Sequence, residues 1–280
     1  MIDNRIISLH IMDTVQRRGE TISREQRDTI SQRYKRITKA INAEFWGIDS
    51  DTAHSRYVGS YGRGTAIDTS DIDILVELPR EEYERYDAHK GNGQSRLLQT
   101  VKAAIQATYS KSNIRADGQV IVIDFSDGII FEVLPAFQQT DWLGRWNGKY
   151  EYADSNMGGN WRSTNPMAEQ EAMSAMNRES NGLLFDTCRH MREIRDTHFR
   201  SYHLSGIVID SYAYHHIADW HWLRPGESES DKPRGTYEKK LYNECPITSF
   251  YLTAPGSGDI IDTSKDVDCL NKVLNYMSKE

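Results

Sequence analysis

The chain has 280 residues, a formal net charge of -7 at pH 7 and a sequence pI near 5.8. Hydrophobic residues make up 38% of it and charged residues 27%, values that exclude a disordered, fibrous or disulfide-rich protein. Domains that follow a nucleic-acid backbone usually carry a basic stripe and a pI above about 9, so long nucleic acid is not an expected partner.

The first predicted element is a long amphipathic helix. Ser23-Arg24-Glu25-Gln26 has the capping-box pattern that opens helices. Apolar and aromatic residues then recur at helical spacing at Ile30, Tyr34, Ile37, Ile41 and Phe45. Gly47 and the polar residues 49–51 predict the end of this helix.

Strands are predicted next. Residues 71–78 alternate in the manner of a strand and are stopped by Pro79. Residues 97–109 are typical of a helix. Two further strands, 120–125 and 129–134, flank Asp127-Gly128, a dipeptide that favours a two-residue hairpin turn.

The second half of the chain is mostly helical by its pattern. Asn165 can cap a helix that begins at Pro166. Helices are predicted over 167–178, 182–197, 204–220 and 265–278, with a polar loop at 225–235. The expected fold class is therefore α+β. A lobe with a mixed sheet (residues 1–160) precedes a helical lobe (161–280), and we expect the ligand site in the cleft between such lobes.

Asp71 and Asp73 are the candidate metal ligands. Residues two apart in a strand point to the same face, so both carboxylates can serve one site while Ile72 and Ile74 enter the core. Clustered carboxylates can hold two divalent cations about 3.5–4 Å apart. The pair therefore predicts a site for two Mg²⁺ ions, for which Mn²⁺ could substitute.

A glycine-rich segment, residues 59–65, precedes this strand. Its glycines allow close approach of the backbone to a phosphate, and Ser60 offers a hydroxyl and an amide to bind one. Arg63 in this segment is predicted either to reach a phosphate or to face water. Gly59-Ser60, ten intervening residues and Asp71-Ile72-Asp73 together resemble the signature of the polymerase-β nucleotidyltransferase superfamily.

A third carboxylate normally completes such a site, and Asp124, Asp127 and Glu132 are the candidates. A two-residue turn at Asp127-Gly128 would pair Ile123 with Glu132 and Asp124 with Phe131. Asp124 and Glu132 would then lie on opposite faces, so only one of them could join the site. The alternation of side chains along the strands does not show whether Asp124 or Glu132 lies on the face of the site.

The chain as a whole resembles the bacterial CD-NTase family, cyclic-oligonucleotide synthases related to cyclic GMP-AMP synthase and oligoadenylate synthase. Besides the superfamily signature, the resemblance depends on residues 131–137 (Phe-Glu-Val-Leu-Pro-Ala-Phe), 161–166 (Trp-Arg-Ser-Thr-Asn-Pro) and 201–204 (Ser-Tyr-His-Leu). It implies that Glu132 is the third acid, although relatives more often have Asp there.

The same resemblance implies three residues that bind the substrate nucleotide. A Lys on a helix of the second lobe and a Ser would contact the triphosphate, and a Tyr would stack on a base. By position these roles fall to Arg192, Ser201 and Tyr202. Arg192 departs from the expected Lys, but it keeps the charge and adds a bidentate fork.

The expected activity is therefore condensation of nucleoside triphosphates into a cyclic di- or trinucleotide second messenger, with release of pyrophosphate. The resemblance further implies antiphage signalling through a separate downstream effector. Two alternatives stay open. One is a nucleotidyltransferase that acts on a protein, tRNA or small-molecule acceptor, and the other is a nucleotide-binding module without catalysis.

Location and core composition complete the sequence-based expectations. No window approaches the roughly 18 apolar residues of a membrane helix, and no signal-like segment opens the chain, so a cytoplasmic protein is expected. Cys188, Cys245 and Cys269 form no Cys-x-x-Cys pair and are predicted to be buried free thiols. Trp220 and Trp222 are predicted to lie in the core.

Overall fold

The structure is a computed structural model that describes residues 15–17, 21–228 and 235–279. The chain forms two compact units. The sheet unit comprises Ile22–Gly62 and Asp68–Met167, and the helical unit comprises Met1–Thr21, Arg63–Ile67 and Ala168–Glu280. Residues 229–234 of the predicted polar loop lie outside the described residues.

The helix α1 (Arg24–Ile41) begins the sheet unit, as predicted. The Ser23 hydroxyl accepts a hydrogen bond from the backbone N–H of Gln26 at 3.1 Å, which satisfies one of the unpaired donors of the first turn. Ile30, Ile37 and Ile41 are buried on one side. A π-helical turn extends the helix to Trp46, and Gly47 ends it with a φ of 64°.

A seven-stranded mixed sheet forms the centre of this unit, in the order β1-β2-β5-β4-β3, with β6 paired to β5 and to β7. The pair β2–β5 is parallel and the other pairs are antiparallel. The bounds are β1 (Ser55–Tyr57), α2 (Gly59–Arg63), β2 (Ile72–Glu77), α3 (Arg80–Asp87), α4 (Gly93–Thr108), β3 (Asn113–Asp117), β4 (Val120–Asp124), β5 (Ile130–Thr140), β6 (Trp146–Asp154) and β7 (Asn160–Thr164).

The two faces of β2 differ in character, as its alternation predicts. Ile72 and Ile74 are buried on one face, while α1 and α4 pack against the central strands. Asp73 lies on the other face and is only partly buried. The same face carries a small apolar cluster around Leu75, whose other buried members are Val58, Ala136 and Tyr150. The strand thus supports a polar site and a core at once.

The hairpin between β4 and β5 differs from the prediction by one residue. Asp124 pairs with Ile130 and Ile123 with Phe131, and the Phe125 N–H donates to the Ile129 carbonyl at 3.1 Å. The loop therefore contains three residues, 126–128. Gly128 has a φ of 88°, the left-handed conformation that three-residue hairpin loops use. The predicted two-residue turn, and the register derived from it, are wrong.

The strand β5 also runs further than predicted, through Pro135 to Thr140. Pairing with β4 ends at Val133 and pairing with β6 begins at Ala136, so Pro135 lies between these two antiparallel partners while it stands opposite Val76 of β2. The periodicity analysis did not foresee five elements: the strands β1, β3, β6 and β7 and the helix α3. Each is short or rich in polar residues, so its apolar pattern is weak.

In the helical unit, the helices agree with the predicted ones to within a few residues, except that α8 was not foreseen. They are α5 (Pro166–Glu179), whose first two residues belong to the sheet unit, α6 (Leu183–His198), α7 (Gly206–His216), α8 (Thr236–Asn243) and α9 (Val267–Met277). A small sheet of β8 (Leu252–Thr253) and β9 (Ile260–Ile261) completes the unit.

The core of the helical unit contains Trp220 and Trp222, as predicted. Cys188, Cys245 and Cys269 are also buried and are free thiols, which confirms that prediction. Among the residues described by the structure, no helix combines the length and the apolar character that crossing a membrane requires.

Candidate active site

Three carboxylates lie on one face of the mixed sheet. Asp73 in β2 stands directly opposite Glu132 in β5 in the parallel register. Asp71 comes two residues before Asp73, just ahead of the strand, and is exposed. Because side chains two apart in extended backbone point to the same side, the arrangement brings the three predicted ligands to one region of the sheet unit.

Asp124 occupies the same face as Glu132, contrary to the prediction. Since Asp124 pairs with Ile130, and Ile130 and Glu132 are two apart, the one-residue change of register removes the predicted opposition of faces. The Asp124 carboxylate is engaged instead by cationic and amide groups. It accepts hydrogen bonds from Arg115 at 2.6 Å and from Asn113 at 2.8 Å.

Asp127, the remaining alternative, lies in the hairpin loop. It forms a bidentate pair with Arg33 of α1, at 2.9 and 2.7 Å, and this interaction lowers the pKa of its carboxyl. Glu132 differs from both alternatives because it stands beside Asp73 in the register. The geometry therefore favours Glu132 as the third acid of the group.

The pKa of Glu132 is raised to about 7. Burial of the carboxyl is the largest cause, and repulsion by Asp73 and then by Asp71 adds to it. Arg115 opposes this shift. Burial and repulsion thus keep Glu132 partly protonated near neutral pH, and a cation beside it would favour the ionised form.

The donor set fits a hard divalent cation, because Mg²⁺ and Mn²⁺ prefer carboxylate oxygens. Within residues 15–17, 21–228 and 235–279, no three His, Cys, Asp or Glu side chains are already gathered closely enough to hold a metal ion. Carboxylates that repel one another are expected to stand apart until a cation draws them together. Asp73 and Glu132 are thus neighbours in the register, and Asp71 precedes the strand by one residue.

The Gly59-Ser60 dipeptide opens α2 beside the same strand. The Val58 N–H donates to the Asp73 carbonyl at 2.9 Å, so the backbone before the glycine runs alongside β2. Gly59 has a φ of 58°, and a Cβ atom there would collide with the Asp73 carboxyl group. The glycine is required by this close approach, which places the predicted phosphate-binding dipeptide next to a predicted metal ligand.

Arg63, at the other end of α2, has neither of its two predicted roles. Only 7% of its surface is exposed, so it does not face water. Its Nε donates to Asp210 at 2.9 Å and its Nη1 to Glu169 at 3.0 Å, both within the helical unit. The guanidinium is therefore committed to a buried pair of acids.

Arg192 of α6 is likewise buried, with 1% of its surface exposed. Its Nη1 donates to Asp210 at 2.6 Å and to the Cys188 carbonyl at 3.3 Å, and its Nη2 donates to the Gly206 carbonyl at 3.0 Å. This geometry favours a structural role over the predicted contact with a triphosphate. The guanidinium therefore makes its hydrogen bonds inside the helical unit.

Ser201 and Tyr202 follow α6 and are both exposed. The Lys272 ammonium lies 4.8 Å from the centre of the Tyr202 ring, 45% of whose residue surface is accessible. A ring of this kind can stack on a base, and the roles of both residues in nucleotide binding stay predictions. Both residues belong to the helical unit.

The sequence analysis missed Asp210, the acid that both buried arginines share. It follows the apolar run Gly206-Ile207-Val208-Ile209 in α7, and no part of its surface is exposed. An acid within a buried helical stretch must be paired, so its setting in an apolar run was an available signal. The identity of its partners could not be obtained from spacing.

Comparison with known proteins supports the same chemistry. Residues 17–177 match the SMODS family model, which describes a Second Messenger Oligonucleotide or Dinucleotide Synthetase domain. No curated protein matches the chain in sequence.

Solved structures resemble the fold over most of the chain. CdnE cyclic dinucleotide synthase from Elizabethkingia meningoseptica matches with a TM-score of 0.59 and 16% identity, covering 89% of either chain. CdnE c-di-GMP synthase from Capnocytophaga granulosa gives 0.60 and 13%, covering 89% of this chain and 80% of that one. CdnE c-UMP-AMP synthase from Rhodothermus marinus gives 0.58 and 14%, with 94% and 92% covered.

These structural likenesses confirm the α+β nucleotidyltransferase fold expected from the sequence. The family model covers more than half of the chain and confirms the family that its motifs resemble. The chain therefore belongs to the second messenger oligonucleotide or dinucleotide synthetases, the family of the CD-NTases, and the protein is a nucleotidyltransferase.

Proposed function

We propose that the protein uses divalent cations to condense nucleoside triphosphates into a cyclic di- or trinucleotide, with release of pyrophosphate. The observation that carries the proposal is the register of β2 and β5, which sets Asp73 opposite Glu132. Asp71 lies close enough to Glu132 for its charge to raise the pKa of that carboxyl. The family's description supports a second messenger as the product. Two similar structures hold nucleotides, GTP and Apcpp in one and Apcpp and Upnpp in the other.

Each condensation step is a displacement at the α-phosphorus of one triphosphate. A ribose hydroxyl oxygen of the other nucleotide forms a bond to that phosphorus, the bond from phosphorus to the β-bridging oxygen breaks, and pyrophosphate leaves with the bonding electrons. The hydroxyl proton passes to solvent. A second displacement of the same kind closes the ring of a dinucleotide.

Bound Mg²⁺ would lower the pKa of the attacking hydroxyl and stabilise the charge on the α-phosphate and pyrophosphate. The residues that would hold it are Asp71, Asp73 and Glu132. Their contribution is to gather negative charge on one rigid sheet face, and the positive φ of Gly59 brings the phosphate-binding dipeptide close to that charge. We also propose, from the family resemblance, that the product acts on a separate effector in antiphage signalling.

Product identification tests this function directly. The protein is incubated with the four nucleoside triphosphates and Mg²⁺ or Mn²⁺, and phosphatase-resistant products are identified by mass spectrometry. A resistant cyclic product, absent when Asp71 and Asp73 are both changed to Asn, is the expected result. Turnover that appears only after a protein, tRNA or small-molecule acceptor is added would contradict a cyclic product, and nucleotide binding without turnover would contradict catalysis.

Asp73→Asn should reduce turnover by at least about 100-fold, because it keeps the size of the side chain but removes a charge that cations need. Asp124→Asn is the matched control. It lies on the same sheet face, but its carboxylate is engaged by Arg115, so its turnover should stay within about twofold of the wild type. Initial rates of pyrophosphate release measure both. Equal losses in the two variants would contradict the assignment of the acids.

Glu132→Gln should change the pH dependence of stability in metal-free protein. Because the pKa of Glu132 is about 7 in the fold and 4.5 in the unfolded chain, the native state binds more protons between these values and stability falls as pH rises. The variant cannot ionise. In EDTA at pH 8 it should therefore be more stable than the wild type, by on the order of 2 kcal/mol after discounting for partial exposure.

This difference should shrink towards pH 5, and added Mg²⁺ should raise the unfolding midpoint of the wild type more than that of the variant. Denaturant unfolding followed by tryptophan fluorescence measures both effects. A variant that is less stable than the wild type at pH 8 in EDTA would show that Glu132 is not held under repulsion.

Gly59→Ala should abolish most turnover, since the new methyl group would displace the Asp73 carboxyl. Gly47→Ala is the matched control. Gly47 has a similar φ of 64°, but a Cβ atom there meets nothing within 4 Å. Both variants should lose about 1 kcal/mol of stability from the left-handed backbone, and only Gly59→Ala should lose activity. Kinetics and thermal unfolding of the pair distinguish the collision from the strain.

A further inference from the structure

The segment Arg63–Ile67, here called the anchor segment, belongs to the helical unit although sheet-unit residues precede and follow it. Its first residue donates hydrogen bonds to two acids, Asp210 and Glu169, as described above. Two residues later, the Thr65 hydroxyl donates to Asp210 at 2.9 Å, and no part of the Thr65 surface is exposed. Side chains at both positions are thus fixed on the same carboxylate.

The backbone between and after these residues is held as well. The Gly64 carbonyl accepts a hydrogen bond from Arg189 at 2.8 Å, and the Ala66 carbonyl accepts one from Thr21 at 3.0 Å. Gly64 has a φ of 80°, and a Cβ atom there would lie within 3.1 Å of more than one ring atom of Phe185. Four consecutive residues are therefore tied to the helical unit through specific contacts.

Asp210 is the centre of this arrangement. Burial opposes its ionisation, but Arg192 and Arg63 together hold the pKa of its carboxyl below the usual value. A buried carboxylate shared by two arginines and a hydroxyl has its oxygens committed, so it has few alternative arrangements. Such a group fixes the position of what it binds more strictly than an apolar contact would.

The anchor segment begins three residues after Ser60, the second residue of the predicted phosphate-binding dipeptide. Arg63 is the last residue of α2, whose first two residues are Gly59 and Ser60, and the Gly62 N–H donates to the Val58 carbonyl at 2.8 Å. Tyr61, Gly62 and Arg63 belong to the same hydrogen-bonded helical turn as Ser60. Because the backbone dihedral angles of this turn are fixed, the position of Arg63 determines the position of Ser60. An immobile Arg63 therefore limits where the Ser60 hydroxyl and amide can lie.

We propose that the anchor segment positions Gly59-Ser60 for the substrate triphosphate, with Arg63 and Thr65 as positioning residues that act through Asp210. The inference rests on the proposed function, since it assigns the dipeptide to phosphate binding. Interactions with a triphosphate made equally before and during reaction affect KM more than kcat. Loosening the anchor segment should therefore raise KM for nucleoside triphosphate.

Thr65→Val tests the proposal at low risk to folding, because it keeps the shape of the side chain and removes one hydrogen bond to Asp210. Thr187→Val is the matched control. Thr187 is equally buried in the helical unit, and its hydroxyl bonds the Leu183 carbonyl at 2.8 Å and lies 3.0 Å from the Tyr237 hydroxyl. These hydrogen bonds of the Thr187 hydroxyl, the ones found among the described residues, involve neither the anchor segment nor Asp210.

Both variants should lose similar thermal stability, whereas only Thr65→Val should raise KM for the triphosphate, by about 10-fold with kcat changed less than threefold. Deuterium exchange of the full chain, followed on peptides that cover residues 58–62, should accelerate only in Thr65→Val. An unchanged KM and unchanged exchange in Thr65→Val, or equal changes in Thr187→Val, would overturn the proposal.

The two measurements also distinguish this proposal from the proposed function. If the wild type makes no cyclic product, the function fails on its own assay. Exchange at residues 58–62 needs no substrate, so it still reports whether the anchor segment restrains the dipeptide. Faster exchange with no change in KM would show a restraint that does not serve substrate binding, and it would likewise overturn the proposal.

Discussion

The parallel pairing of β2 with β5 is the constraint on which the candidate site depends. It alone sets Asp73 opposite Glu132, and every other strand of the sheet is antiparallel to its partner. Apolar residues on the reverse face, such as Ile74 and Phe131, are fully buried and hold the two strands in this register. The core on one face thus determines which acids meet on the other.

Charge is used in opposite ways in the two units. In the sheet unit Asp71 and Asp73 repel the Glu132 carboxylate, which raises its pKa. In the helical unit Asp210 is matched by two arginines and serves to fix structure. Acidic side chains therefore form a candidate cation site in one unit and a structural centre in the other.

Sequence patterns predicted the features that depend on residues close together in the chain, namely helix ends and the alternation of strands. The cap at Ser23, the alternation of residues 71–78 and the start of α5 at Pro166 were all apparent from spacing. The hairpin register was not, because Asp-Gly suits loops of two or three residues and only the pairing of whole strands decides between them. The assignment of the site acids stays a prediction. The burial of Arg63 and Arg192 was not foreseen, since Asp210 lies far from Arg63 in the sequence.

The parallel strand pair also has a consequence for the order in which the protein folds. Antiparallel neighbours such as β4 and β5 join through a short loop, but β2 and β5 are separated by two helices and two strands. Closing so long a loop lowers the chain entropy before the strand contacts that stabilise it can form, so contacts of this kind form slowly. Helices and hairpins can exist in a nascent chain without the acids being together. Asp73 and Glu132 of the candidate site therefore stand opposite each other only after the strand pair with the largest sequence separation in the sheet has formed.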